Sequence, residues 1–167
     1  MWFAVLGLGS NLGERASMLQ GAVDALGETP GIRVLTVSPV YETTPLGELD
    51  QPNYLNAVVA VETTLPPTLL LERAQAIEDA LGRVRTRRWD SRSIDVDILV
   101  FGEEVSDTPE LALPHPGAYE RACVLAPWND IDPEATVPGH GRVADLLGQV
   151  GRDGVWRLDD LMLQQPT

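Results

Sequence analysis

The chain has 167 residues, of which 44% are hydrophobic, and this indicates a single domain (residues 1–167) with an ordinary core. Its formal net charge of −13 argues against a nucleic-acid binder, because phosphate backbones would be repelled. No apolar run approaches the roughly 20 residues of a membrane span, and the short apolar start lacks the basic residues of a signal peptide. The single cysteine, Cys123, suits a reducing compartment, so we expect a cytoplasmic protein that binds neither nucleic acid nor membrane.

The sequence contains no lysine, and all twelve of its basic residues are arginines. A P-loop needs Gly-Lys-Ser/Thr, a protein kinase needs a strand lysine, and Schiff-base chemistry needs an amine. The composition therefore excludes these mechanisms, and any binding of phosphate must rely on arginine.

The first half of the chain predicts two strands around one helix. Trp2 to Leu8 is an apolar stretch that predicts a buried first strand. Leu19, Ala22, Val23 and Leu26 follow at helical spacing, and Gly27 and Pro30 end that helix. Val34 to Tyr41 predicts the second strand, and the polar, proline-broken stretch 43–52 predicts a loop.

The middle of the chain predicts a further strand, helix and strand. Leu55 to Thr63 is rich in valine and alanine, and Pro66 and Pro67 suit the first turn of a second helix. Ile94 to Phe101 predicts the fourth strand, which we expect to be central because it is so apolar. The buried stripe of the second helix is predicted to contain Leu70, Ala74, Ile77 and Leu81.

The order β-α-β-β-α-β predicts an α+β fold, a ferredoxin-like sandwich with a largely antiparallel sheet and both helices on one face. The remaining residues predict C-terminal additions to it. These are a hairpin within 103–113, a turn at 139–141, and short helices over 120–128 and 143–150.

Residues 83–98 carry the strongest functional signal, because five of the twelve arginines are followed at once by two aspartates. Guanidinium groups bind phosphate oxygens in a forked geometry. No acidic residue separates the first four of these arginines, which disfavours an ordinary solvated surface. A segment between a helix and a strand can close on a polyphosphate and open again. The five arginines are Arg83, Arg85, Arg87, Arg88 and Arg92.

Asp95 and Asp97 lie on one face of the predicted fourth strand, because alternate residues of a strand share a face. Their Cα atoms are about 6–7 Å apart, and two carboxylates at that range repel by about 2–3 kcal/mol at an effective dielectric of about 20. A divalent cation would remove this repulsion, and ligation by oxygen alone favours Mg²⁺ over zinc. The alternative is that both aspartates lie in water at a strand end.

Three further residues are candidates for binding. His115 is held between Pro114 and Pro116, and a rigid mount suits an imidazole that contacts phosphate or handles a proton. Asn56 can pair with the amide-like edge of a heterocycle, and Tyr54 can stack on its face. The alternatives are an exposed loop histidine and two ordinary strand residues.

Four sequence blocks, taken together, resemble the 6-hydroxymethyl-7,8-dihydropterin pyrophosphokinase family (2-amino-4-hydroxy-6-hydroxymethyldihydropteridine diphosphokinases) over about residues 3–130. This resemblance implies the α+β sandwich and an ATP-dependent diphosphotransferase of folate biosynthesis. Such an enzyme transfers pyrophosphate from ATP to the pterin hydroxymethyl group and releases AMP. The blocks are LGSNLG at 8–13, YETTPLG at 41–47 with QPNYLN at 51–56, RWDSR at 88–92 with DVDIL at 95–99, and LPHP at 113–116 with Arg121.

The resemblance also implies a role for each matching residue. Two Mg²⁺ ions would be held by Asp95 and Asp97, with ATP as co-substrate, and small molecules would be the only partners of a monomer. The expected catalytic residues are Arg83, Arg92, Asp95 and Asp97. The expected ATP-binding residues are Gln75, Glu78, Arg85, Arg88, Trp89, Arg92, Ile98, His115 and Arg121. The expected pterin-binding residues are Gly9, Thr43, Thr44, Leu46, Tyr54, Asn56, Asp95 and Cys123.

Three positions depart from the family pattern. Cys123 stands where an aromatic ring opposite the tyrosine is usual, and a thiol cannot stack on a pterin. Asp90 replaces a small residue inside the arginine segment, and Thr44 stands where proline is common.

Two other function classes are weighed against this interpretation. A nucleotidyltransferase also combines Gly-Ser with Asp-x-Asp, but it keeps the two motifs close, whereas Ser10 and Asp95 are far apart here. A ferredoxin-like regulatory module would bind a small ligand without turnover, but it gives no reason for arginines beside paired aspartates.

Overall fold

The computed structural model describes residues 1–11, 13–44, 52–82 and 94–166. The first part of the chain alternates long strands with two helices. In order, these elements are β1 (Trp2–Ser10), α1 (Arg15–Glu28), β2 (Ile32–Val37), β3 (Tyr41–Thr43), β4 (Tyr54–Thr63), α2 (Pro67–Gly82) and β5 (Asp95–Phe101).

The second part contains shorter elements. They are β6 (Ser106–Asp107), β7 (Ala112–Leu113), α3 (Gly117–Glu120), α4 (Ala122–Ile131), β8 (Thr136–Val137), β9 (Gly141–Arg142), α5 (Val143–Val150) and β10 (Val155–Arg157). The expected hairpin is the pair β6–β7, and α5 has the predicted bounds. The turn expected at 139–141 lies at 138–140, where it joins β8 to β9. The expected helix over 120–128 is instead two helices, α3 and α4, and the second continues to Ile131.

The main sheet is antiparallel in every strand pair that the described residues form. Its strand path is β10-β3-β4-β1-β5, and β2 pairs with the half of β4 that β3 leaves open. The largely antiparallel sheet is therefore as expected. The central place expected for β5 is wrong, because β5 ends the strand path. It is apolar because α2 and the α3 region pack against it.

The stretch predicted as one strand from Val34 to Tyr41 is two strands. Ser38 separates them, and its backbone N–H donates to the Val58 carbonyl at 2.9 Å. The Ser38 hydroxyl accepts the Val58 N–H at 2.8 Å, so a side chain replaces a backbone acceptor. Pro39 follows and has no N–H to continue a regular ladder. The split lets two strands, β2 and β3, pair with the same edge of β4.

The two faces of the sheet bury different cores. On one face, Ala4, Leu6 and Leu8 of β1 pack with the apolar stripes of α1 and α2, as expected. We call this the helix face. On the opposite face, Val5 of β1 and Val58 of β4 pack with α4 and α5, and we call it the site face. The period of two along a strand explains this division.

The residues after α5 were not predicted to add a strand to the main sheet. β10 pairs with β3, and the tail that follows it packs Leu158, Leu161 and Leu163 against the helix-face core. In the described ranges, none of the helices is both long enough and apolar enough to cross a membrane.

Ser38→Ala is expected to lower the free energy of unfolding by about 1–3 kcal/mol, because the buried Val58 N–H loses its acceptor. Urea titration followed by circular dichroism measures this loss. The same substitution at exposed Ser17 in α1 serves as the control and should change stability by less than about 0.5 kcal/mol. Equal stabilities for the two variants would contradict the role given to the Ser38 hydroxyl.

Candidate active site

A cavity of about 320 Å³ opens on the site face, where β1, β4 and β5 lie side by side. It is bounded by strand residues on one side and by the 115–124 region on the other. Ten of the residues expected in the site line this cavity. They are Gly9, Thr43, Thr44, Tyr54, Asn56, Asp95, Asp97, His115, Arg121 and Cys123.

The floor of the cavity is formed by glycine backbone. Gly9 pairs with Asn56 of β4 on one side and with Asp95 of β5 on the other. A Cβ on Gly9 would lie 3.1 Å from the Asn56 amide nitrogen, and a Cβ on Gly7 would lie 3.3 Å from a Leu99 methyl carbon. The two glycines therefore let the Asn56 and Leu99 side chains lie close over the backbone at the base of the cavity.

Gly7 was missed by the sequence analysis, although a signal for it was present. Two glycines two positions apart in an apolar strand indicate a place where a ligand or another chain segment approaches the backbone. The other unexpected lining residues are Leu8, Ala57, Leu99, Gly117 and Val124.

Asp95 and Asp97 form the acidic side of the cavity. They pair with Gly9 and Gly7, respectively, and both line the cavity, whereas Val96 and Ile98 lie in the helix-face core. This is the alternation that the strand period predicts. Asp95 is half-buried and Asp97 is exposed, so both carboxylates can reach a ligand above the floor.

The donor set of this side fits Mg²⁺. Within the described ranges, no group of three or more His, Cys, Asp or Glu side chains could hold a metal ion by itself. Mg²⁺ does not need one, because it is usually bound by one or two carboxylates together with waters and substrate phosphates. Asp95 and Asp97 supply that number of carboxylates at one place.

Thr43 and Asn56 form a second wall, and a hydrogen bond fixes their orientation. The Thr43 hydroxyl donates to the Asn56 side-chain oxygen at 2.8 Å across the β3–β4 pair. The Asn56 amide nitrogen is then turned toward Gly9 and the cavity floor. This wall therefore offers a pre-oriented N–H donor to the edge of a ligand.

Tyr54 adds an aromatic ring with a protonated hydroxyl to this wall. Burial, and then the nearby Asp95 carboxylate, raise the pKa of the Tyr54 phenol, against a smaller opposite effect of Arg121. The phenol stays neutral at physiological pH and keeps its O–H donor.

His115 and Arg121 form the basic side of the cavity. The Gly117 N–H donates to His115 Nδ1 at 2.9 Å, so the neutral imidazole carries its proton on Nε2. A Cβ on Gly117 would lie 3.2 Å from His115 Nδ1, so glycine permits this close approach. The exposed Arg121 guanidinium completes a pair of N–H donors suited to an anion.

Cys123 lies in the first turn of α4, half-buried, and lines the same cavity. Burial raises the pKa of its thiol, and the nearby Arg121 guanidinium only partly offsets the rise. The side chain is therefore a neutral, small, apolar wall at neutral pH. It is much smaller than the ring that the resemblance places there.

Three residues expected to bind ATP lie outside the cavity. Gln75 is exposed on α2, and Ile98 is buried in the helix-face core. The Glu78 carboxylate accepts the Val96 N–H at 2.8 Å and so ties α2 to the start of β5. The nucleotide role of these three residues stays a prediction. Leu46, Arg83, Arg85, Arg87, Arg88, Trp89, Asp90 and Arg92 lie outside the described residues.

An α+β fold whose cavity places two carboxylates across from an imidazole and a guanidinium is typical of enzymes that transfer phosphoryl groups. Residues 5–133 match the family model of 7,8-dihydro-6-hydroxymethylpterin-pyrophosphokinase (HPPK). This match covers most of the chain, and the chain belongs to the HPPK family.

Curated relatives have the same family name in several bacteria. The 2-amino-4-hydroxy-6-hydroxymethyldihydropteridine pyrophosphokinase of Methylorubrum extorquens is 48% identical over 93% of this chain and 98% of its own length. The protein of the same name from Pseudomonas aeruginosa is 44% identical over 90% and 93%. The folic acid synthesis protein fol1 of Schizosaccharomyces pombe is 38% identical over 91% of this chain, but over only 21% of its own length.

Solved structures with this fold include HPPK-DHPS chains. A crystal structure of HPPK-DHPS in complex with substrates superposes with a TM-score of 0.73 at 14% identity, over 95% of this chain and 48% of that one. Wild-type Plasmodium falciparum HPPK-DHPS gives 0.70 at 16% identity, over 94% and 47%. This chain thus spans about half the length of these solved chains. The likeness supports only the fold, which combines helices with an antiparallel sheet.

The raised pKa of Cys123 predicts an unusual pH profile for its reaction with a small aromatic disulfide. The thiolate is the reactive form, so the rate should still be rising above about pH 8.5, where an ordinary thiol has begun to level off. Absorbance of the released chromophore measures the rate, and Cys123 is the only cysteine that can react. The urea-unfolded chain is the control, and the same midpoint in both states would contradict the burial argument.

Proposed function

We propose that this chain is a pyrophosphokinase that transfers pyrophosphate from ATP to the hydroxymethyl group of 6-hydroxymethyl-7,8-dihydropterin and releases AMP, in folate biosynthesis. Its family and the names of its full-length relatives support this activity. The structural observation that carries the proposal is a cavity that has Asp95 and Asp97 on one side and the oriented Thr43–Asn56 wall on the other.

The pterin is proposed to lie flat against the glycine floor. Its ring carries an amide-like edge with both donors and acceptors, which the Asn56 amide can match. The ring of Tyr54 and the side chain of Cys123 bound this space from different elements. A buried polar group that hydrogen-bonds a heterocycle edge discriminates strongly against analogues that lack the partner. Thr44 and Leu46 remain proposed pterin neighbours.

Two Mg²⁺ ions are proposed on Asp95 and Asp97. When bound, such ions neutralise the charge of the phosphate oxygens and increase the electrophilicity of phosphorus. The chain's own contribution is to hold the two carboxylates on one face of β5, next to the floor on which the pterin lies. The Glu78 hydrogen bond to Val96 fixes the residue between them.

The phosphates are proposed to extend from the acidic side toward His115 and Arg121. The Nε2–H of His115 and the guanidinium of Arg121 are donors, and no proton transfer is needed for them to bind an anion. Arg83, Arg85, Arg88, Arg92 and Trp89 are proposed to complete the nucleotide site, together with Gln75, Glu78 and Ile98.

The reaction forms one O–P bond and breaks another. The pterin hydroxyl oxygen bonds to the β-phosphorus of ATP, the bond from that phosphorus to the oxygen bridging it to the α-phosphorus breaks, and AMP leaves. The hydroxyl proton is lost to solvent. Such transfers depend on alignment and charge neutralisation more than on covalent help from the protein. A pre-oriented pterin wall beside a paired carboxylate site supplies both.

The proposal also includes the topology of the core, the oligomeric state and the location in the cell. The strand order β5-β1-β4-β2 with α1 and α2 on one face supports the ferredoxin-like arrangement of the core. A monomeric state and a cytoplasmic location are proposed from the sequence. Size-exclusion chromatography with light scattering tests the monomeric state.

The activity is tested with ATP, Mg²⁺ and 6-hydroxymethyl-7,8-dihydropterin, with AMP and the pterin diphosphate measured by chromatography. We expect equal amounts of the two products and loss of turnover when EDTA removes the metal. Release of inorganic pyrophosphate instead of AMP would favour nucleotidyl transfer. Ligand binding without turnover would favour the regulatory module and contradict the proposal.

Asp97→Asn is expected to lower kcat by about 100-fold or more, because the amide is neutral and a poor ligand for Mg²⁺. The fold should survive, since Asp97 is exposed and the substitution preserves its shape. Steady-state kinetics and thermal unfolding measure the two effects. Asp107→Asn, at an exposed position on β6, is the matched control and should retain the wild-type rate. A near-normal rate for Asp97→Asn would contradict the metal assignment.

A further inference from the structure

The segment from 151 to 166 lies beyond the family-matched region and reaches the cavity wall. Its strand β10 pairs with β3 through Val155 to Thr43, Trp156 to Glu42 and Arg157 to Tyr41. β3 has only three residues and pairs with β4 on its other side. β10 therefore pairs with the outer edge of β3, which would otherwise be an edge strand. β3 contains Thr43.

A direct contact connects this segment to a cavity residue. The Thr44 N–H donates to the Gly154 carbonyl at 3.0 Å, and the Thr44 hydroxyl lies 3.5 Å from the same oxygen. Gly154 has a φ of +74°, and a Cβ built on it would lie only 2.5 Å from the Thr44 hydroxyl oxygen. Glycine is thus required here both by the backbone conformation and by the close approach.

The chain is anchored away from the cavity on both sides of β10. Before it, α5 packs Val143, Leu146 and Leu147 into the site-face core. After it, the Leu158 N–H donates to the Val40 carbonyl at 2.9 Å, and the tail continues onto the helix face. These anchors leave β10 little freedom to move away from β3.

The tail itself is joined to α1 and β2 by paired contacts. The Gln164 backbone N–H donates to the Gln20 side-chain oxygen at 2.8 Å, and the Gln20 amide donates back to the Gln164 carbonyl at 3.0 Å. The Gln165 amide donates to the Leu35 carbonyl at 2.8 Å. The segment thus joins the helix face to the cavity wall on the site face.

We propose that this C-terminal segment is a positioning element for the pterin side of the cavity, and that Gly154 is its positioning residue. By holding Thr44 and β3, it fixes Thr43, whose hydroxyl in turn orients the Asn56 amide. The inference rests on the proposed function, because it concerns the affinity of that site for its pterin.

Gly154→Ala is expected to raise the KM for the pterin by roughly five- to tenfold, with kcat and the KM for ATP changed by less than about twofold, because small displacements of positioning groups cost binding and alignment. Gly151→Ala is the matched control. Gly151 has a similar φ of +82°, but a Cβ on it would meet nothing within 4 Å. Equal pterin KM values for the two variants overturn the proposal.

A measurement without substrate separates this proposal from the proposed function. Hydrogen exchange at the Thr44 amide should be faster in Gly154→Ala than in Gly151→Ala, because only the first disturbs its acceptor. If the wild-type chain releases no AMP, the proposed function fails, and equal exchange rates in the two variants then overturn the positioning role independently.

A second comparison covers the case in which Gly154→Ala does not fold. Thr44→Ala removes the hydroxyl that the added Cβ would meet, whereas the strain of an alanine at positive φ remains, as it does in Gly151→Ala. In the Thr44→Ala background, Gly154→Ala should therefore lower stability and raise the pterin KM no more than Gly151→Ala does in that background. A clearly larger loss for Gly154→Ala in that background would show that the contact with Thr44 is not the cause, and would overturn the proposal.

Discussion

The register of three neighbouring strands is the constraint on which the site depends. Gly9 of β1 pairs with Asn56 of β4 and with Asp95 of β5, so one row across the sheet presents an amide, a bare backbone and a carboxylate. A slip of one residue in either pair would turn these side chains into the helix-face core and bring apolar ones to the cavity. The apolar partners Leu6, Leu8, Val96 and Ile98 oppose that slip, because they would lose their burial.

The walls above this row depend on contacts that come from separate parts of the chain. The Thr43 hydroxyl orients the Asn56 side chain. Thr43 lies in β3, and the C-terminal strand β10 pairs with the outer edge of β3. On the opposite side, the Gly117 N–H fixes the tautomer of His115. The Asn56 amide and the His115 imidazole are thus oriented before a ligand binds, which reduces the ordering that binding must achieve.

The parts of the fold that were predictable are those governed by local pattern. The stripe of Leu19, Ala22, Val23 and Leu26 is buried as its helical spacing predicted. The break at Ser38 was missed although Pro39 is a signal for it, because the valines and Thr36 on either side favour a strand. Only the hydrogen bonds with Val58 show where the chain leaves the regular ladder. The edge place of β5 was also missed, since burial by α2 gives an edge strand the composition of a central one.

The sequence by itself determined which chemistry the chain can support. The absence of lysine and the arginines before Asp95 and Asp97 pointed to a site for a metal and a polyphosphate, because residue types and strand periodicity are local properties. The resemblance of the blocks around Tyr54 and His115 to a known family implied the pterin. Only the tertiary structure decided that Gly7 and Gly9 form the floor and that Gly154 reaches Thr44. These are contacts between residues far apart in the chain, and no local pattern records which strands will pair.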